Sequence, residues 1–166
     1  MPSEPHPESL LLPADAPPQR VLRQFRIVFN AVKTHFRQLE RESGLGGAQV
    51  WALSVIDSQP GIGATNLARA LDIHQSTASN LVRGLVERGY VSAAREGIDR
   101  RSVALRVLPS GKEVLARAPA PLAGVLPSAL AALDDATLLR LEQDLGTLIA
   151  RLDADEEAGK IPLSQS

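Results

Sequence analysis

Cysteine is absent from this sequence. Disulfides, thiolate catalysis, thiol redox sensing and cysteine-ligated zinc are excluded with it, and a reducing cytoplasm is the expected compartment. Aromatic residues make up only 3% of the chain, so a core has to be built from Leu, Val, Ile and Ala. Histidine is limited to His6, His35 and His74. No two of them stand at a metal-ligand spacing and no HExxH pattern occurs, so no metal site is expected. No apolar run reaches the roughly 18 residues that a membrane-spanning helix needs. The opening MPSEPHPESLLLPADAPP has no basic n-region and does not read as a secretory signal. Rich in proline and acidic side chains, residues 1–18 read as a disordered tail. Enzyme signatures are missing too. GIGATN from Gly61 starts like a dinucleotide fingerprint, but it comes after Gln-Pro instead of a strand and lacks the third glycine. No nucleophile elbow occurs. Neither catalytic residues nor a cofactor are expected.

The sequence does hold 166 residues, 44% hydrophobic and 22% charged, enough for one domain or a tightly joined pair with a packed core. The net charge of −1 conceals an uneven distribution. Residues 61–112 carry eight basic and four acidic side chains, whereas the rest carry ten basic and fifteen acidic. A basic middle between acidic flanks suits a polyanionic partner.

Hydrophobic periodicity sets out the elements. In VLRQFRIVFNAVKTHFRQLERES, apolar residues recur at Val21, Phe25, Val28, Phe29, Val32, Phe36 and Leu39, near the helical period, with Gly44 as a C-cap candidate. GAQVWALSVIDSQ is a second helix, with Val50, Leu53 and Ile56 on one stripe and Trp51 and Val55 widening it. Next comes a short helix with Leu67, Ala68 and Leu71 inward, a turn at Asp72–Ile73, and a helix with Ala78, Leu81, Val82, Leu85 and Val86 as its buried face. YVSAAR and SVALRV alternate as two strands around the charged loop EGIDRR. Helices return in the last third. Ser110 with Glu113 reads as a capping box, Pro119, Pro121 and Pro127 interrupt the helical pattern beyond it, and Asp134 is placed to cap a final helix. There Leu138, Leu141, Leu145, Leu148 and Leu152 form the seam of a helix packed along another helix. The fold class is mainly α with a small β-hairpin wing: a winged helix-turn-helix over residues 45–108, joined to a helical dimerisation region over 19–44 and 109–156.

With one face of the helix after His74 assigned to the core, Gln75, Ser76, Ser79, Asn80 and Arg83 share the opposite face, with Thr77 beside them. A solvated helix face usually carries long Glu and Lys side chains. Short donor–acceptor groups with a single arginine suit a helix that sits deep in the major groove of double-stranded DNA, where Gln and Asn pair with adenine and Arg with guanine. Arg95, Arg100 and Arg101 crowd the hairpin tip, which has the size to reach an adjacent minor groove. Asp99, odd as a DNA contact, is suited to holding one of those arginines.

From Gly44 to Leu115 the chain resembles the MarR family (multiple antibiotic resistance regulators), through GLGGAQVWAL, LARALDIHQSTASNLVRGLVERGYV and DRRSVALRVLPSGKEVL. The resemblance extends to the leucine-rich C-terminal helix. It implies a cytoplasmic homodimer built by the first and last helices, a pseudo-palindromic DNA site, and a wing in the minor groove with Asp99 and Arg101 paired. It also implies a repressor released by a small effector, often an aromatic carboxylate. His35 and Trp51 are the residues best suited to such a ligand, one to donate a hydrogen bond and the other to stack. The chain departs from the family pattern at His74, where Ser or Thr often caps the helix, at Gly46 and Gly63, and at the three prolines. The alternative reading is a winged helix that docks protein and binds no DNA.

Overall fold

The computed structural model describes residues 13, 15–95, 103–152 and 154–165. Among these residues, seven α-helices and one antiparallel hairpin occur in order: α1 Pro17–Ser43, α2 Gly47–Ser58, α3 Ala64–Leu71, α4 Gln75–Glu87, β1 Val91–Arg95, β2 Val103–Val107, α5 Pro109–Arg117, α6 Val125–Ala131 and α7 Asp135–Arg151. Two short 3-10 helices, Glu156–Lys160 and Leu163–Gln165, come last. This is the expected mainly α architecture with a hairpin wing. Helix α1 starts two residues before the expected boundary because Pro17 and Pro18 fill the first helical positions, where a missing N–H costs nothing. The expected tail, apart from Pro13 and residues 15–18, lies outside the described residues.

The core sits where α2, α3, α4 and the hairpin converge. Val50, Leu53 and Ile56 of α2, Leu67 of α3, Ala78 and Leu85 of α4, Val91 of β1, Leu105 of β2 and Val114 of α5 are all buried. Leu39 joins them from the last turns of α1. The hairpin pairs Val91 with Val107 through Arg95 with Val103. Its outer edge is also held: Gly61 N–H donates to the Leu105 carbonyl at 2.8 Å, and Leu105 N–H to the Ile62 carbonyl at 3.0 Å. The loop after α2 therefore acts as a short third strand that anchors the wing.

Two expectations are corrected. Ser110 is not the N-cap of α5; Leu108 is, with Pro109 presetting the first turn. The Ser110 hydroxyl instead donates to the Gly89 carbonyl at 2.6 Å, fastening α5 to the end of α4. Val86 and Val103 are exposed, so the apolar faces of α4 and β2 are narrower than the pattern suggested. On α7, Leu141, Leu145, Leu148 and Leu152 of the expected seam are exposed. Exposed apolar residues also mark the first half of α1, where Val21, Leu22, Ile27, Val28 and Phe29 lie on the surface. Among the described residues, no helix is long and apolar enough to cross a membrane.

Candidate nucleic-acid interface

Helix α3 ends with Asp72 in the left-handed region at φ 51°, which few non-glycine residues adopt. That geometry lets Ile73 N–H reach back to the Ala68 carbonyl at 3.0 Å and turns the chain sharply into α4. Ile73 is buried, and Ala78, Leu81 and Leu85 pin α4 along one side. The opposite side carries the stripe expected from the sequence. Gln75, Ser76, Asn80 and Arg83 are exposed, while Thr77 and Ser79 are half-buried. The Ser79 hydroxyl donates to the Gln75 carbonyl at 2.9 Å, and an Arg83 guanidinium nitrogen lies 3.3 Å from Asn80 Oδ1. Both bonds are local and solvent-facing, and water or a base edge competes with them directly. No side chain caps α4. His74 occupies the N-cap position in extended geometry, and its ring turns away to the C-terminal segment, with Nε2 3.3 Å from the Glu157 carbonyl.

Arg95 is exposed at the free end of β1. Asp99, Arg100 and Arg101 lie outside the described residues. Arg88, three turns beyond the start of α4, donates to the Gly44 carbonyl at 3.1 Å and ties α4 to the end of α1.

The residues expected for a small ligand separate. A cleft of about 410 Å³ opens between α1, α2, the α6 region and the C-terminal segment, and Trp51 lines it beside Val32, Phe36 and Leu130. His35 is not part of that lining. It is 7% exposed, and its Nε2 lies 3.1 Å from the Pro121 carbonyl. Sequence reasoning missed the C-terminal wall, Ile161–Leu163. Ser164 holds that wall in place by accepting the Ala48 N–H at 3.0 Å, at the start of α2 where the helix has no side-chain cap. The apolar triplet IPL between DEEAGK and SQS was the available signal.

Residues 43–102, from the end of α1 through the helix-turn-helix to the wing, match the MarR family profile. Over that stretch the chain is similar to the MarR family. It is 33% identical over 86 residues to a protein of Thauera aromatica described as a transcriptional regulatory protein for the hcr operon. That match covers 49% of this chain and 52% of the relative, so the chain spans about half the length of the curated relative it matches. Two solved structures share the fold. A MepR-like protein complexed with pseudoligands superposes with a TM-score of 0.56 at 20% identity, covering 78% of this chain and 94% of that one. FabT of Streptococcus pneumoniae in complex with DNA gives 0.51 at 17% identity, covering 81% and 96%. The likeness to these structures is one of fold, a winged helix-turn-helix with flanking helices.

Proposed function

We propose that this chain is a dimeric, sequence-specific DNA-binding regulator, a cytoplasmic repressor whose grip on DNA a small ligand releases. The observation that carries the reading is the face of α4. Gln75, Ser76, Asn80 and Arg83 are exposed on a helix anchored from behind by Ala78, Leu81 and Leu85. Short polar groups on a rigid helix allow close approach to base edges. The relative described as a regulatory protein for an operon and the DNA complex of a protein of the same fold support it.

A dimer would join the exposed apolar faces of α1 and α7 to those of a second copy. Two copies of α4 would then enter successive major grooves about 34 Å apart on a pseudo-palindromic site. The wing arginines Arg95, Arg100 and Arg101 would add minor-groove and phosphate contacts. A ligand in the cleft would act by favouring a spacing of the two winged domains that does not fit successive grooves.

Selection of binding sites from random duplex DNA, then titrations at fixed salt, tests the reading. Arg83→Ala should cost about 1–3 kcal/mol of discrimination between the selected site and random DNA. Arg101→Ala should weaken both about equally. Equal losses for the two variants contradict this division of labour, and failure to enrich any sequence removes the regulator reading.

A further inference from the structure

The cleft beside Trp51 has a chemistry of its own. Its volume of about 410 Å³ falls within the range of sites that hold small molecules. Its walls are Val32 and Phe36 from α1, Trp51 from α2, Leu126 and Leu130 around α6, and Ile161 and Leu163 from the C-terminal segment. Among its described lining residues no Lys, Arg or His occurs, and Asp72 is the sole charged side chain. Polar groups nearby are already engaged. Ser164 Oγ takes the Ala48 N–H, and the His35 ring is turned to the Pro121 carbonyl. Among the described residues, no buried side-chain nitrogen or oxygen lacks a hydrogen-bond partner.

We propose that this cleft, closed on one side by Ile161–Leu163, takes an uncharged and largely apolar small molecule, not a carboxylate. The inference rests on reading the chain as ligand-responsive, and it names the class of ligand. A carboxylate entering here would lose hydration and meet no counter-charge, with Asp72 adding repulsion. An alcohol or hydrocarbon gains from leaving water and gives up little. The chemistry of the lining therefore departs from the aromatic acid that the family resemblance implied.

Trp51 is the only tryptophan in the chain, so its emission reports the cleft without labelling. The full chain is titrated at neutral pH with two matched pairs, 1-octanol against octanoate and benzyl alcohol against benzoate. The alcohol of each pair should shift the emission saturably, at concentrations at least about tenfold lower than its acid, since an unpaired charge is costly to bury. Ile161→Lys, at a half-exposed wall position where a lysine is tolerated, should narrow or reverse that preference by supplying the missing cation. Acids that bind as tightly as alcohols, or emission that neither class moves, overturn the proposal. So does an Ile161→Lys variant that keeps the full preference for alcohols. A DNA titration of the same preparation separates the two readings. Alcohol binding without DNA binding leaves the cleft assignment standing and removes the regulator.

Discussion

Single side chains settle much of what this protein does with its polar groups. His35 and His74 look alike in the sequence, each a lone histidine in a helical context. Their neighbours separate them: His35 is buried against the Pro121 carbonyl, and His74 reaches across to Glu157. Neither partner is close in sequence, so no local pattern announces them. Gly111 is a sharper case. A Cβ there would lie 2.4 Å from the Tyr90 carbonyl oxygen and 2.9 Å from Val107 Cγ1. Backbone cannot yield as a flexible side chain does, so Gly111→Ala should destabilise by about 1–3 kcal/mol in urea unfolding; a variant as stable as the parent would show that α5 shifts freely. Asp134 accepts from Thr137 N–H at 2.9 Å and from the Thr137 hydroxyl at 2.8 Å. The hydroxyl bond first, then the backbone N–H, holds its carboxyl below the usual value of 3.8. The stabilisation is therefore present above the unfolded carboxyl's pKa and lost as pH falls through the lower folded one. Asp134→Ala should lower the thermal midpoint at neutral pH, with the gap closing in acid below the ordinary carboxylate range. A gap that does not change with pH would mean that the cap contributes nothing through its charge.

At the scale of elements, α4 divides its labour by face. Leu85 is fully buried, Ala78 is fully buried, and Leu81 nearly so. Removing Leu85's side chain leaves a void that the surrounding helices cannot wholly fill, so Leu85→Ala should cost about 2–5 kcal/mol of stability. Circular-dichroism melts alongside DNA titrations separate this from Arg83→Ala, which should leave the melting point within the range of an ordinary surface change. Both helices of the turn and the two strands were legible because one buried face imposes a period on the sequence. Ser110 was misread for a local reason. Serine with glutamate three residues on matches a capping box, but Pro109 one residue earlier takes the first helical position and moves the cap to Leu108. Pro119 and Pro121 fall in the break between α5, which ends at Arg117, and α6, which begins at Val125, whereas Pro127 does not interrupt a helix but sits in the first turn of α6, where a missing N–H costs little.

At the scale of the whole molecule, much of the exposed apolar surface among the described residues lies on the first and last α-helices. Leu141, Leu145 and Leu148 on α7 and Val28 and Phe29 on α1 are exposed, although each repeats with the spacing of a buried seam. A second copy of the chain is the expected cover. On the proposed dimer, Leu145→Glu should give a monomer in sedimentation velocity and, by separating the two α4 helices, weaken binding to a palindromic site far more than to a half-site. A variant that remains dimeric and binds normally would place the contact elsewhere.

Sequence alone determined the order of elements and the division of α4 into a buried and an open face, because each depends on periodicity within a single element. Tertiary structure alone decided which residues meet across the chain: that Trp51 lines a cleft and His35 does not, that Ile161–Leu163 closes its far side, and that the cleft's described lining offers no cation. Those facts depend on packing between segments distant in the chain, and no repeat or spacing within either segment encodes which partner it will find.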